Sequence, residues 1–134
     1  MNCLLVACLI LLSACSAAAP PLEFAPPGKI VQQAIALQLD LTQQQLSQRL
    51  KAVPPQLELG PITVQHIEPL FVARLPTYHL TGAYQLTIKL PHQQVTQKNN
   101  RFDIYLQRQA EGKTWRLLRR EAQRSEWSSY LIRD

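Results

Sequence analysis

The chain has 134 residues, of which 46% are hydrophobic and 17% are charged, and its net charge is +5. This length suits one small globular domain, and the apolar content excludes an intrinsically disordered chain. The longest apolar run extends from Leu4 to Leu12. A bilayer span takes about 20 residues, so this shorter run near the start is typical of a secretory signal peptide.

The residues after this run predict a membrane anchor. Leu12, Ser13, Ala14 and Cys15 resemble the bacterial lipobox, in which a cysteine follows small residues. The resemblance implies that residues 1–14 are removed and that Cys15 receives a diacylglycerol and an acyl chain such as palmitate. Two or more acyl chains hold a protein stably on a membrane. Because no Lys or Arg precedes the run, an ordinary signal peptide or a misassigned start is the alternative.

By the same resemblance, the mature chain is exported to an outer, plasma or thylakoid membrane, with its domain facing periplasm, lumen or exterior. Cys3 and Cys8 lie in the segment that is removed, and no cysteine follows Cys15. The mature domain therefore forms no disulfide. Residues 15–27 are rich in proline and alanine, which predicts an extended tether of about 3 Å per residue. Residues 28–134 are predicted to form a single domain.

From Lys29 to about Lys51, apolar residues recur at the spacing of one helical face. They are Val31, Ile35, Leu39, Leu46, Leu50 and, just beyond, Val53. Residues 40–42 interrupt this pattern, and Thr42 with Gln45 fits a capping box. One kinked helix and two shorter helices therefore both stay open, and residues 54–55, both proline, mark the end.

The segment LDLTQQQLSQRL, residues 39–50, also resembles the first half of a bacterial helix-turn-helix. That motif requires a second helix for the major groove of DNA. Prolines and a strand-like pattern follow here instead, and export separates the chain from DNA. No nucleic-acid partner is therefore expected.

Beyond residue 57 the pattern changes to the alternation that is typical of strands. The clearest strand extends from Tyr78 to Leu90, apolar on one face and polar on the other. Before it, Leu57–Ile67 and Leu70–Arg74 predict one strand interrupted by Pro69, or two strands. Further strands are predicted for Arg101–Gln107 and Thr114–Leu118, and a last strand or a hook for Trp127–Ile132.

A helix followed by four to five antiparallel strands predicts an α+β fold, with the N-terminal helix packed on a curved antiparallel sheet. This order resembles the cystatin-like and nuclear-transport-factor-like folds. More narrowly, FDIYLQRQAEGKTWRLLRREA, with LPTYHLTGAYQLTIKLP before it, is similar to a family of uncharacterised cyanobacterial lipoproteins. The resemblance covers most of the mature chain and implies no particular activity.

Catalytic motifs are missing from the sequence, which has no serine elbow, no glycine-rich phosphate loop and no H-E-x-x-H. The acidic residues lie on different predicted elements, without a partner for general acid and base catalysis. His66, His79 and His92 are thirteen residues apart, whereas a metal site needs convergent ligands. The sequence therefore predicts a non-catalytic protein without cofactor or metal, and does not exclude an enzyme.

Basic residues are concentrated after residue 96, where nine basic residues stand against five acidic ones. We expect Arg116, Arg119, Arg120 and Arg124 to form a contact surface for anionic headgroups or for an acidic protein partner. The alternative is a solvated face paired with neighbouring glutamates.

A helix lying on a sheet can also enclose a pocket. Its predicted lining is Tyr78, Tyr84, Phe102, Ile104 and Trp115, and the alternative is that these residues are plain core. Two functions therefore stay open. The first is a membrane-anchored accessory or binding module at the cell envelope or thylakoid, and the second is a lipoprotein that binds a small ligand or lipid.

Overall fold

The computed structural model describes residues 18–121 and 125–133. A 3₁₀ turn, Leu22–Phe24, precedes helix α1, Gly28–Leu50. The strands that follow are β1 (Gln56–Val72), β2 (Leu75–Lys89), β3 (Gln94–Arg108), β4 (Trp115–Arg120) and β5 (Trp127–Ile132). They form one antiparallel sheet in the order β1-β2-β3-β4-β5. The prediction of an α+β fold with one helix packed on an antiparallel sheet is therefore confirmed.

The hydrophobic core lies between the first half of α1 and one face of the sheet. On the helix, the buried residues are Ile30, Val31, Ala34 and Ile35. Because side chains alternate along a strand, every second residue of the sheet points to this face. The strands contribute Tyr78, Leu80, Phe102, Ile104, Leu106, Trp115, Leu117 and Ile132. We call this side of the sheet the helix face and the opposite side the outer face.

Helix α1 continues through residues 40–42, where the sequence allowed either a kink or the start of a second helix. Thr42 Oγ1 donates a hydrogen bond to the carbonyl oxygen of Gln38, at 2.9 Å, within α1. The Thr42 side chain is thus used inside the helix and does not cap a new one. The helix ends at Leu50 because Lys51 adopts a left-handed conformation, with φ of 50°.

Strand β1 is one strand that contains Pro69, so the first of the two alternatives for this region is correct. It is the first strand in the sheet order and pairs with β2. Its register shifts twice, between Leu59 and Ile62 and between Val64 and His66. Prolines and bulges are tolerated at an edge, where they also discourage pairing with another chain.

The sheet is longer on one side than the sequence predicted. Strand β3 begins at Gln94 and not at Arg101. Its first residues are polar and mostly exposed, so they show no apolar alternation. They form a strand because β2 pairs with them, as in the Leu86–Gln97 pair. Strand β4 pairs with only the last four residues of β3, so the other end of the sheet consists of β1, β2 and β3.

Residues 18–27, the described part of the predicted tether, lie on the domain. Tyr78 donates its hydroxyl to the carbonyl oxygen of Pro21 at 2.7 Å. The guanidinium of Arg108 lies 5.2 Å from the ring centroid of Phe24, which is a cation–π distance. Pro20 and Pro26 are buried. The segment is thus packed on the domain, although its backbone is extended at Pro21, Ala25 and Pro27. Residues 15–17 lie outside the described residues.

Gly82 is the position where the fold depends most on the absence of a side chain. A Cβ there would meet the carbonyl oxygen of Thr63 and approach the ring of Phe102 to 2.8 Å. We expect Gly82→Ala to lower the free energy of unfolding by about 1–3 kcal/mol. Gly28→Ala, where a Cβ meets nothing within 4 Å, is the control and should cost nothing. Urea unfolding of the two variants checks this, and equal stabilities would contradict it.

Because the Tyr78 hydroxyl is buried, we expect the free energy of unfolding to depend on pH in the alkaline range. Burial raises the pKa of Tyr78 above its ordinary value of 10.0, although the charge of Arg108 opposes this shift. Because the folded-state pKa exceeds the unfolded one, the stabilisation is fully present below pH 10 and is lost as the pH rises through the folded-state pKa. Tyr78→Phe should therefore flatten the alkaline loss of stability. It should also cost about 1 kcal/mol at neutral pH, because the bond to Pro21 is lost.

Unfolding curves between neutral and strongly alkaline pH measure both effects. The pKa of Tyr84 is also raised by burial, so part of the alkaline slope should persist in the variant. Identical slopes for Tyr78→Phe and the parent chain would contradict the assignment to Tyr78.

Candidate binding surfaces

The five predicted pocket-lining residues do meet between helix and sheet. Tyr78, Phe102, Ile104 and Trp115 are buried, and Tyr84 packs against them. The cavity beside Tyr84, Phe102 and Ile104 has a volume of about 30 Å³. That volume fits a water molecule, whereas small-molecule pockets start near 300 Å³. In this structure these side chains fill the core.

A larger cleft lies between the second half of α1 and the start of β1, with a volume of about 500 Å³. We call it the α1–β1 cleft. One wall consists of the helix residues Ala36, Leu39, Asp40 and Gln43, and the other of residues 55–59 and Lys89. Lys89 Nζ lies 3.0 Å from Glu58 Oε2, so the cleft combines a charged wall with the apolar side chains of Leu39 and Leu59. Sequence reasoning missed this cleft, because few of its lining residues follow an apolar pattern.

An exposed apolar surface lies where α1 ends. Leu46, Leu50 and Val53 expose 51%, 72% and 93% of their surface. A groove of about 290 Å³ at this place is lined mainly by apolar side chains, and a second hollow of about 470 Å³ adjoins it. We call this surface the apolar tip. It comprises Leu46, Leu50, Val53, Pro54, Pro55, Leu90 and Pro91.

The helical spacing predicted that Leu46, Leu50 and Val53 pack on the domain, and this prediction is wrong. The buried residues of α1 all lie in its first half, between Ile30 and Ile35. Leu39 and Leu41 still pack against the core, and the helix extends beyond it after Leu41. Its later apolar residues therefore remain at the surface, although they continue the pattern of the buried ones.

Two hydrogen bonds fix the segment that follows α1 against the helix at the apolar tip. Gln43 Nε2 donates to the carbonyl oxygen of Pro55 at 3.0 Å, and Ser47 Oγ donates to that of Ala52 at 3.1 Å. Both bonds tie the segment after α1 back onto the helix. The groove is thus already formed, and a partner would not have to order this segment on binding.

The predicted basic surface is divided between the two faces of the sheet. Because side chains alternate along β4, Arg116 and Arg120 lie on the outer face, whereas Arg119 shares the helix face with Leu117. Arg116 Nε donates to Ser129 Oγ at 3.0 Å. Arg124 lies outside the described residues. The structure therefore places two of the four predicted arginines on one face of the sheet, four residues apart along β4.

An aromatic stack on the outer face was not predicted. The ring of Tyr105 lies parallel to that of His79, with centroids 4.2 Å apart, and meets Trp127 edge-on at 4.9 Å. Arg120 lies over Trp127, with its Cζ atom 4.5 Å from the ring centroid. His79 Nε2 lies 2.6 Å from Asp103 Oδ1. Only the strand register, which pairs His79 with Tyr105, could have revealed this stack.

The three histidines do not converge. His66 and His79 lie on neighbouring strands, where they pair with Thr81 and Glu68, and His92 lies in the turn between β2 and β3. Within residues 18–121 and 125–133, no group of three His, Cys, Asp or Glu side chains is arranged to hold a metal ion. In the same part of the chain, no helix has the length and apolar character needed to cross a membrane.

Comparison of the chain with protein-family models, with curated proteins and with solved structures gave no match. The resemblance to cyanobacterial lipoproteins therefore stays a prediction. The same holds for lipidation of Cys15, which lies outside the described residues.

Proposed function

We propose that this chain is an exported lipoprotein, held on a membrane through lipid on Cys15. We propose further that its domain is a non-catalytic module that binds an apolar segment of another envelope protein. The apolar tip is the observation that supports this function. A folded domain rarely exposes a contiguous apolar surface unless the surface meets a partner.

The exposure of the tip indicates apolar contacts with the partner. Burying Leu46, Leu50 and Val53, which are exposed by half or more, would contribute on the order of 1–2 kcal/mol each. The preformed groove lowers the cost of ordering on binding. Such contacts are little affected by salt, whereas a contact through Arg116 and Arg120 would weaken as salt screens the charges.

The position of the tip fits a module that is anchored at its N-terminus. Helix α1 has 23 residues, a length of about 34 Å at 1.5 Å per residue. The tip lies at its C-terminal end, whereas residues 18–27 and the predicted anchor lie at its N-terminal end. An anchored domain can thus present the tip away from its attachment point.

The lipid anchor is checked by the intact mass of the chain extracted from membranes. We expect a mass that begins at Cys15 and includes acyl chains. Cys15→Ser should remove both the acyl mass and the membrane association, because the lipid is attached to the thiol. An unmodified chain that begins at Met1 would contradict the lipoprotein proposal.

The partner surface is checked by a photo-crosslinking residue at Val53 in cells that make the chain. We expect a crosslink to one protein species that persists at high salt and falls at least about fivefold in Leu50→Asp, since a buried carboxylate opposes docking. A crosslinker at Gln65, which is exposed on β1, is the matched control. Equal crosslink yields at Val53 and Gln65 would contradict this proposal. Crosslinks from Val53 only to a second copy of the chain would contradict it as well.

The α1–β1 cleft supports a second candidate, the binding of a small ligand or lipid. Its volume of about 500 Å³ lies in the range of small-molecule pockets. It lies between helix and sheet, where the sequence led us to expect a pocket, although its lining differs from the predicted one.

Native mass spectrometry of the chain purified from its own cells checks this candidate. A bound small molecule should appear in the parent chain and disappear in Ala36→Trp, because the indole would occupy the cleft. Lys51→Trp, at an exposed position just beyond α1, is the control. A clean apo mass for the parent chain would exclude a stably bound ligand.

A further inference from the structure

The end of the domain that carries residues 18–27 combines apolar and basic side chains. The turns β1–β2 and β3–β4 and the end of β5 all lie there, because antiparallel strands place alternate connections at the same end of a sheet. Gln107 Nε2 donates to the carbonyl oxygen of Val72 at 2.9 Å, which joins the ends of β1 and β3. We call this the anchor end.

Three large apolar side chains are exposed at the anchor end. Leu22, Phe24 and Phe71 expose 58%, 49% and 50% of their surface. Phe71 pairs with Pro76 and thus shares the helix face with Tyr78, the same side on which residues 18–27 lie. The three side chains therefore belong to one side of the domain, beside the segment that leads to Cys15.

Basic residues lie at the same end of the domain as these apolar side chains. Arg108 contacts Phe24 and also donates two hydrogen bonds to the carbonyl oxygen of Gly112, so Phe24 is held against the β3–β4 turn. The described residues of this end carry five basic and two acidic side chains, a net charge of +3, with Asp134 following in the sequence. They are Lys29, Arg74, Arg108, Lys113 and Arg133 against Glu23 and Glu111.

The distance from the predicted lipid to this surface is short. Two residues lie between Cys15 and Ala18, so three Cα–Cα steps of 3.8 Å limit the distance between their Cα atoms to about 11 Å. Pro20 is buried and Pro21 is bonded to Tyr78, so the chain is already fixed to the domain at that point. A lipid on Cys15 would hold the anchor end, and no other part of the domain, next to the bilayer.

We propose that the anchor end is a membrane-docking surface, in which Leu22, Phe24 and Phe71 enter the headgroup region of a bilayer while Arg74 and Arg133 contact anionic headgroups. Apolar side chains inserted among basic residues are the combination that binds interfaces. The inference rests on the lipid anchor of the proposed function. It adds that the domain lies on the membrane in one orientation and does not hang from a flexible spacer.

The test compares two ends of the same lipidated chain. No cysteine follows Cys15, so Lys113→Cys and Gln93→Cys each provide a single site for a fluorophore. Both residues are exposed turn residues, and β3, which connects the two turns, spans up to about 45 Å. The chain is reconstituted into phosphatidylcholine vesicles with about one third phosphatidylglycerol, and a brominated lipid quenches labels that approach the bilayer.

We expect quenching of the label at residue 113 to be at least about twofold stronger than at residue 93. Arg74→Glu with Arg133→Glu should reduce quenching at residue 113 in the anionic vesicles and have little effect in pure phosphatidylcholine. Arg49→Glu with Arg101→Glu, which makes the same change in net charge at exposed positions elsewhere, is the matched control. A control pair that reduces quenching equally would overturn the assignment of this surface.

Intact mass of each labelled sample separates the two proposals. Suppose that the mass shows lipid on Cys15 and that the label at residue 93 is quenched as strongly as the label at residue 113, or more strongly. The docking surface is then refuted, whereas the anchor stands. If the mass shows no lipid on Cys15, the proposed anchor fails and the docking surface fails with it.

Discussion

The burial of Ile30, Val31, Ala34 and Ile35 against the helix face of the sheet is the interaction on which the other surfaces depend. Strand β4 pairs only with the last four residues of β3, and β5 pairs with β4, so these two strands widen the helix face at that end of the sheet alone. Most of the core therefore lies at one end of the sheet, although Leu86 is buried further along β2. The first half of α1 covers this core, and the helix extends past it after Leu41. The α1–β1 cleft and the apolar tip both result from this mismatch in length, since a shorter helix would form neither.

Much of the fold could be predicted because its central elements repeat a simple pattern. Strand β2 alternates apolar and polar residues along most of its length, and the predicted bounds of β5, Trp127–Ile132, are those of the structure. The first residues of β3 could not be predicted, since they are polar and form a strand only through pairing with β2. Periodicity detects residues that face a core, whereas pairing at an exposed end depends on neighbours that the sequence does not identify.

The candidate sites were harder to predict for two physical reasons. Sequence proximity suggested one basic surface, but only residues two apart share a face of a strand, so Arg119 separates from Arg116 and Arg120. The helical pattern correctly indicated which side of α1 faces the domain. It could not indicate that the core ends before Leu46 and Leu50, which share this spacing and are exposed.

The two ends of the domain differ in chemistry as a consequence of the same arrangement. At the anchor end, the bond from Tyr78 to Pro21 and the contact of Arg108 with Phe24 fix the entering chain, with basic side chains nearby. At the other end, Gln43 and Ser47 fix the segment after α1 over an apolar groove. The same sheet connects these two ends, so an interaction that orients one of them also orients the other. If lipid on Cys15 anchors the chain as proposed, a flexible spacer would expose both ends equally to the bilayer. A segment packed on the domain would instead leave the apolar tip pointing away from the membrane.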